Sequence, residues 1–211
     1  HNSDGYIGLL NNKRNDIANV ELIPDNLICW YGQNINYKDE RLISLPIGLE
    51  NNKWFPKLQK LAKIQEKIQT ERNYKNLVYV NHNINTNKSE REISYRILAG
   101  KKWATLNWGL NGQSFNHYLD QIYSHKFVVC PEGHGIDTHR TWETLYLGSI
   151  PIEKRNINNQ YYTDLPICFV DDWSEITQDF LESEFERITK HKWCLEKLDF
   201  TYWQNRILNS L

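Results

Sequence analysis

The sequence predicts an α/β fold, Rossmann-like, with a mainly parallel sheet flanked by helices. Three observations lead there. Short apolar runs rich in Val, Ile and aromatics recur along the chain, as buried parallel strands do. Segments with apolar residues at helical spacing lie between them. The two kinds alternate instead of forming separate blocks, the pattern of helices packed on a parallel sheet. With 211 residues the chain can hold one large domain, or one domain and part of another.

Taken in order, strand-like runs fall at Leu27–Tyr31, Leu42–Ile47, Leu77–Asn81, Phe127–Cys130, Ser149–Glu153 and Ile167–Val170. Leu58, Leu61, Ile64 and Ile68 mark one face of a polar helix from about Pro56 to Thr70. Ser89 to Leu98 reads as a second helix, with Ser89 or Asn87 to cap it. Phe115 to Tyr123 carries Phe115, Leu119, Ile122 and Tyr123 at helical spacing, and Thr138 to Leu147 repeats the pattern with Trp142, Leu145 and Tyr146. Two further helices are predicted at Ser174–Thr189 and Phe200–Asn209. There is no internal repeat and no Pro/Gly/Ser-rich linker.

Composition narrows the functions. Lys+Arg is 25 against Asp+Glu 26, so the basic excess typical of a phosphate-neutralising nucleic-acid binder is missing. An RNA-binding or interaction role that uses the chain's Tyr and Trp with the Lys-rich helix at 56–72 is disfavoured on the same ground, and no RNP-like motif is present. No apolar run approaches the ~20 residues that span a bilayer, and the polar His1-Asn2-Ser3-Asp4 opening is no signal peptide. A soluble, cytoplasmic protein is favoured, with an upstream anchor or signal left open. The chain lacks Met even at position 1, and reads as an excised piece of a longer protein. Its four cysteines (Cys29, Cys130, Cys168, Cys194) are widely spaced. They suit buried free thiols better than a zinc site, and no metal site is expected.

Ligands of parallel α/β sheets bind beyond the carboxyl ends of the strands. Three such ends are polar and turn-prone: Asn81 to Asn87, Pro131 to Thr138, and Glu153 to Asn156. The second is the richest. Pro131 stops the strand, and Gly133 and Gly135 allow positive φ and close approach of a ligand. Asp137 or Thr138 can cap the following helix, whose N-terminus favours an anion. Arg140 in the first turn can clamp a phosphate with two bonds. Glu143, one turn later on the same face, can accept from hydroxyls. Trp142 and Leu145 should point away, into the sheet, and Gly148 should close the helix as its C′ residue. A plainer arrangement is also open: an Arg140–Glu143 helix ion pair worth about a few tenths of a kcal/mol.

Phe127 to Ile152, about an eighth of the chain, resembles the donor-binding stretch of exostosin-like glycosyltransferases. There a strand is followed by P-x-G, a D/S-x-x-R-x-x-E helix start and G-x-I-P. The stretch is similar, more loosely, to the corresponding part of the α1,3-fucosyltransferases. Both are two-domain GT-B enzymes whose C-terminal domain holds a nucleotide sugar. Leu42 to Glu50 is similar to the I-P-x-G segment with which such enzymes leave the N-terminal domain. The resemblance thus implies that residues 1–56 end an acceptor-side domain and that 57–211 form the nucleotide-sugar domain, with a last helix crossing back. Association with a missing N-terminal domain follows. Glu132 and Glu143 do not stand at the spacing of the E-x7-E pair of retaining enzymes, so an inverting scheme is preferred.

The function implied is transfer of a sugar from a nucleoside-diphosphate sugar, a co-substrate and no bound cofactor, to a glycan or other hydroxyl acceptor. No metal is implied: no D-x-D element occurs, since Asp171-Asp172 is followed by Trp173. Asp4 is the first candidate for the base that deprotonates the acceptor, and His82 the second. Asn83, Arg91, Gly133, Gly135, Asp137, Thr138, Arg140 and Glu143 are the donor-binding candidates. The rival class is a non-catalytic module that holds a nucleotide sugar or glycan without transferring it.

Overall fold

The computed structural model describes residues 7–8, 18–19, 24–50, 57–107 and 114–210. Five parallel strands form the main sheet: β5 (Asn76–Asn81), β6 (Ala104–Asn107), β7 (His125–Val129), β8 (Ile150–Lys154) and β9 (Cys168–Val170), in the order β6-β5-β7-β8-β9. Numbered within this sheet the order is 2-1-3-4-5, that of a doubly wound α/β fold. Its direction of winding reverses between β5 and β7.

Side chains leave each strand on alternate faces, and both faces are covered. Val78, Val80, Phe127, Val129, Ile150 and Ile152 face α2 (Lys88–Leu98) and α5 (Gln178–Lys190) through Leu98, Leu181 and Ile188. Tyr79, Val128 and Cys130 face α1 (Lys57–Ile68) and α3 (Phe115–Tyr123) through Ile64, Tyr118, Leu119 and Ile122. Farther along that second face, α4 (His139–Tyr146) buries Trp142 and Leu145 against Tyr162, Leu165 and Ile167, as its apolar spacing predicts. Trp142 meets the Tyr162 ring edge-on at 4.9 Å between centroids. The α4 helix ends at Gly148, whose φ of 69° makes it the C′ glycine expected.

Before the main sheet lie two parallel pairs, β1 (Ile7–Gly8) with β2 (Ala18–Asn19), and β3 (Trp30–Gly32) with β4 (Leu42–Ser44). A parallel bridge between Ile7 and Ile35 joins them just past the end of β3. This segment is stitched to the larger body. Asn158 Oδ1 accepts from the Ile35 amide (2.9 Å) and the Ser44 hydroxyl (2.8 Å). The last helix, α6 (Phe200–Leu208), returns to it: Trp203 is buried among Ile43, Leu45 and Ile47, and Ser210 lies 2.6 Å from the Tyr31 hydroxyl.

Three expectations are corrected. The buried face of α1 is rotated: Lys60 and Ile64 are buried, while Leu61 and Ile68 are substantially exposed. The reason is α3, since Lys60 Nζ lies over the Phe115 ring at 5.2 Å and Lys67 pairs with Asp120. Edge strand β6 was not predicted, because Ala-Thr-Leu-Asn is only half-buried and carries a weak apolar signal. Cys29 sits half-buried in a loop and Cys194 is exposed; only Cys130 and Cys168 are the buried thiols expected. No helix among the described residues is long and apolar enough to cross a membrane.

Candidate functional site

The reversal between β5 and β7 places two loops side by side at the carboxyl ends of those strands: residues 82–87 and residues 130–138. Arg91 on α2 ties them together. Its Nε donates to the Glu132 carbonyl (2.8 Å) and its Nη1 to the Asn83 carbonyl (3.0 Å). A methyl group at Gly133 would meet Arg91 Nη2 at 2.8 Å. A methyl group at Gly135 would likewise meet the Asn34 side chain at 2.7 Å, so the two glycines make room for neighbouring side chains and neither has positive φ. Arg91, one of the donor-binding candidates, is 7% exposed. Burial first, and then Arg140, lower its pKa to about 10.

Arg140 enters the same space from the first turn of α4. It is half-buried, and its Nε is sealed from solvent with no hydrogen-bond partner. None of the hydrogen bonds or ion pairs among the described residues uses it. Burial opposes its charge, but the ionisable groups around it, Tyr118, Cys130, Glu143 and Tyr79, outweigh that and raise its pKa. The helix ion pair with Glu143 that the spacing allows does not form. Glu143 instead accepts from the Tyr118 hydroxyl at 2.8 Å, with both residues 5% exposed. Burial raises the Glu143 pKa, against the lowering effects of Tyr118, Lys60, Arg140 and His139.

His82, the second base candidate, is 2% exposed. Its Nε2–H donates to the Arg91 carbonyl at 2.9 Å, which leaves Nδ1 as a buried, unpartnered acceptor. Burial and the Arg140 charge depress its pKa to about 3, so the ring is neutral at physiological pH. That environment suits a fixed dipole and disfavours a proton acceptor that must become charged in turnover. Asp4 lies outside the described residues. The Asn81 Oδ1 beside His82 is also buried without a partner, while its Nδ2 donates to the Tyr79 hydroxyl at 2.7 Å.

The remaining candidates have structural partners. Asp137 does not cap α4; it accepts from the Ile47 amide (2.7 Å) and Trp142 Nε1 (2.8 Å), and its amide donates to Asn34 Oδ1 (2.9 Å). Thr138 stands at the N-cap position without a side-chain cap bond. Asn83 spends its side chain on the Asn85 amide and faces solvent. His139 donates from Nδ1 to the Gly48 carbonyl at 2.7 Å. Asp137 and His139 thus grip the Pro46–Gly48 segment directly, bringing the carboxyl end of β4 onto the loop that follows β7. Lys154 and Arg155 are drawn to Glu90 and Asp171, at 3.5 and 3.3 Å.

No family model and no curated protein matches this chain. The site must therefore be read from its own chemistry. Two cations converge at a sheet switch point, one with its donors unspent among the described residues, beside buried acceptors from the end of β5. Tyr118, Asn81 and Asn34 belong to this constellation; the motif reading missed Tyr118 and Asn34, and gave Asn81 no role beyond the start of a polar strand end. Tyr118 sits in an amphipathic helix, where nothing in its spacing marks a polar role. Among the described residues, no three His, Cys, Asp or Glu side chains are grouped to hold a metal ion.

Proposed function

We propose that the chain binds a nucleoside-diphosphate sugar at the carboxyl ends of β5 and β7 and transfers its sugar to a glycan or other hydroxyl acceptor, with inversion and without a metal. One observation carries the reading: the Arg140 guanidinium has no hydrogen-bond or ion-pair partner among the described residues and stands with Arg91 at the switch point where doubly wound sheets take their ligands. A half-buried cation without a partner is costly, and a diphosphate offers the planar arginine bidentate acceptors. The charge that the leaving diphosphate gains in transfer is the charge this pair would stabilise. Glu143 and the β5 acceptors supply groups for sugar or ribose hydroxyls.

A second reading, a nucleotide-sugar-binding module without transfer, is favoured by the state of His82: buried, neutral and bonded to the Arg91 carbonyl. A thermal-shift screen against UDP-, GDP- and CMP-sugars, followed by assay of released and transferred sugar, separates the two. A ligand of the native state raises its melting temperature. Stabilisation with turnover supports the transferase. Stabilisation without turnover in the full-length protein supports the module, and no stabilisation by any of them sinks both.

A further inference from the structure

We propose that Tyr118 is the positioning residue of this site: by donating to Glu143 it keeps that carboxylate off Arg140 and leaves the guanidinium's N–H groups for the ligand. The inference rests on reading Arg140 as the anion-binding cation. Residues three apart on a helix are neighbours, and an Arg–Glu pair at that spacing ordinarily joins its own charges. In α4 it does not. The Glu143 carboxylate is turned across to α3, where the Tyr118 hydroxyl meets Oε2 at 2.8 Å, and Arg140 Nε is left without an acceptor.

The α3 helix is built to hold that hydroxyl in place. Ser114 caps its start, accepting from the His117 amide at 3.2 Å, and Leu119 and Ile122 anchor it under the sheet. The phenol is fully desolvated and beside a carboxylate, so its proton stays on and it remains a donor. Glu143 still acts on Arg140 through space and is among the groups that raise its pKa against the effect of burial. The cation is thus stabilised by a nearby negative charge that consumes none of its donors. Lys60 and His139 also act on Glu143. They are the competing destinations for the carboxylate once Tyr118 lets go, and wild-type binding by Tyr118→Phe would show that it goes to one of them instead of to Arg140.

The probe is inorganic pyrophosphate, titrated calorimetrically into the wild type, Tyr118→Phe, Glu143→Gln, the double variant and Arg140→Met. Tyr118→Phe should free Glu143 to occupy Arg140 and weaken pyrophosphate binding by roughly tenfold or more, the worth of one lost charge-assisted hydrogen bond. Glu143→Gln should bind at least as tightly as wild type, because a neutral amide cannot neutralise the arginine. Adding Tyr118→Phe to Glu143→Gln should then change nothing, a coupling that a merely structural tyrosine would not produce. Equal weakening by Tyr118→Phe in both backgrounds, or wild-type binding by Tyr118→Phe, overturns the proposal. If Tyr118→Phe does not fold, Glu143→Gln alone decides, since weaker binding by that variant contradicts the idea. Loss of binding in Arg140→Met with normal binding in Tyr118→Phe removes the role of Tyr118 and leaves the anion site standing. Wild-type binding by Arg140→Met removes the anion site itself, and the role of Tyr118 with it.

Discussion

Arg140 and Asp137 stand three residues apart at the start of α4 and meet burial in different ways. Arg140 keeps its charge and lacks a partner among the described residues; Asp137 has partners and resists its charge. Burial raises the Asp137 pKa from 3.8 to about 7, although the Ile47 amide and Trp142 Nε1 both donate to it. Its folded pKa therefore lies above its unfolded one, and the folded state binds the extra proton between those values. The stability contribution is fully present below about pH 4 and is lost as pH rises through about 7. Denaturant unfolding at pH 5 and pH 8 should show wild type weaker at pH 8, and Asp137→Asn with a smaller difference. An equal difference in both proteins would remove Asp137 as its source. Arg140→Met keeps the apolar stem and removes an unpaired charge, so the unliganded variant should melt no lower than wild type. A clear fall in melting temperature would show that the protein itself uses the charge. At this scale the sequence marks positions better than roles. Arg140, Glu143 and Gly148 were legible from spacing, whereas the partners Tyr118 and Asn34 come from distant segments that only folding brings near.

Among the elements, those with strong periodicity were the most legible. The α3 helix occupies Phe115–Tyr123 as its apolar spacing predicts, and β5 starts one residue before the predicted run. The departures have physical causes. The predicted Ser174–Thr189 helix is instead a 3-10 turn at Trp173–Glu175, held by an Asp172–Glu175 capping box, followed by α5 from Gln178 with Thr177 as its cap. Two capping signals so close together cut one pattern into two elements. The turn between α4 and β8 depends on Gly148, where φ is 69° and an added methyl group would approach Arg72 Nη1 at 3.3 Å. Gly148→Ala should lower stability by about 1–2 kcal/mol from backbone strain. An unchanged urea midpoint would show that this turn can relax at no cost.

For the whole molecule, several contacts hold the main sheet and the segment before residue 50 together, and two stand out beside the Asn158 bonds to Ile35 and Ser44. One is the grip of Asp137 and His139 on Ile47 and Gly48; the other is α6, whose Trp203 closes over Ile43, Leu45 and Ile47. Trp203→Ala should cost about 3–5 kcal/mol as a large buried side chain. A loss below about 1 kcal/mol would mean that α6 is not needed to hold the two parts. The overall class was legible because alternating strands and helices leave few arrangements. The order 2-1-3-4-5 was not, since the weak edge strand β6 defines it. That order puts Arg91 and Arg140 at one crevice, and the account depends on their meeting there. Calorimetric titration of UDP and GDP into the wild type and Arg140→Met is the most direct test. Saturable binding of at least one diphosphate, weakened by an order of magnitude or more in the variant, is the predicted result. Binding of equal strength in both proteins, or none in the wild type, would contradict the site.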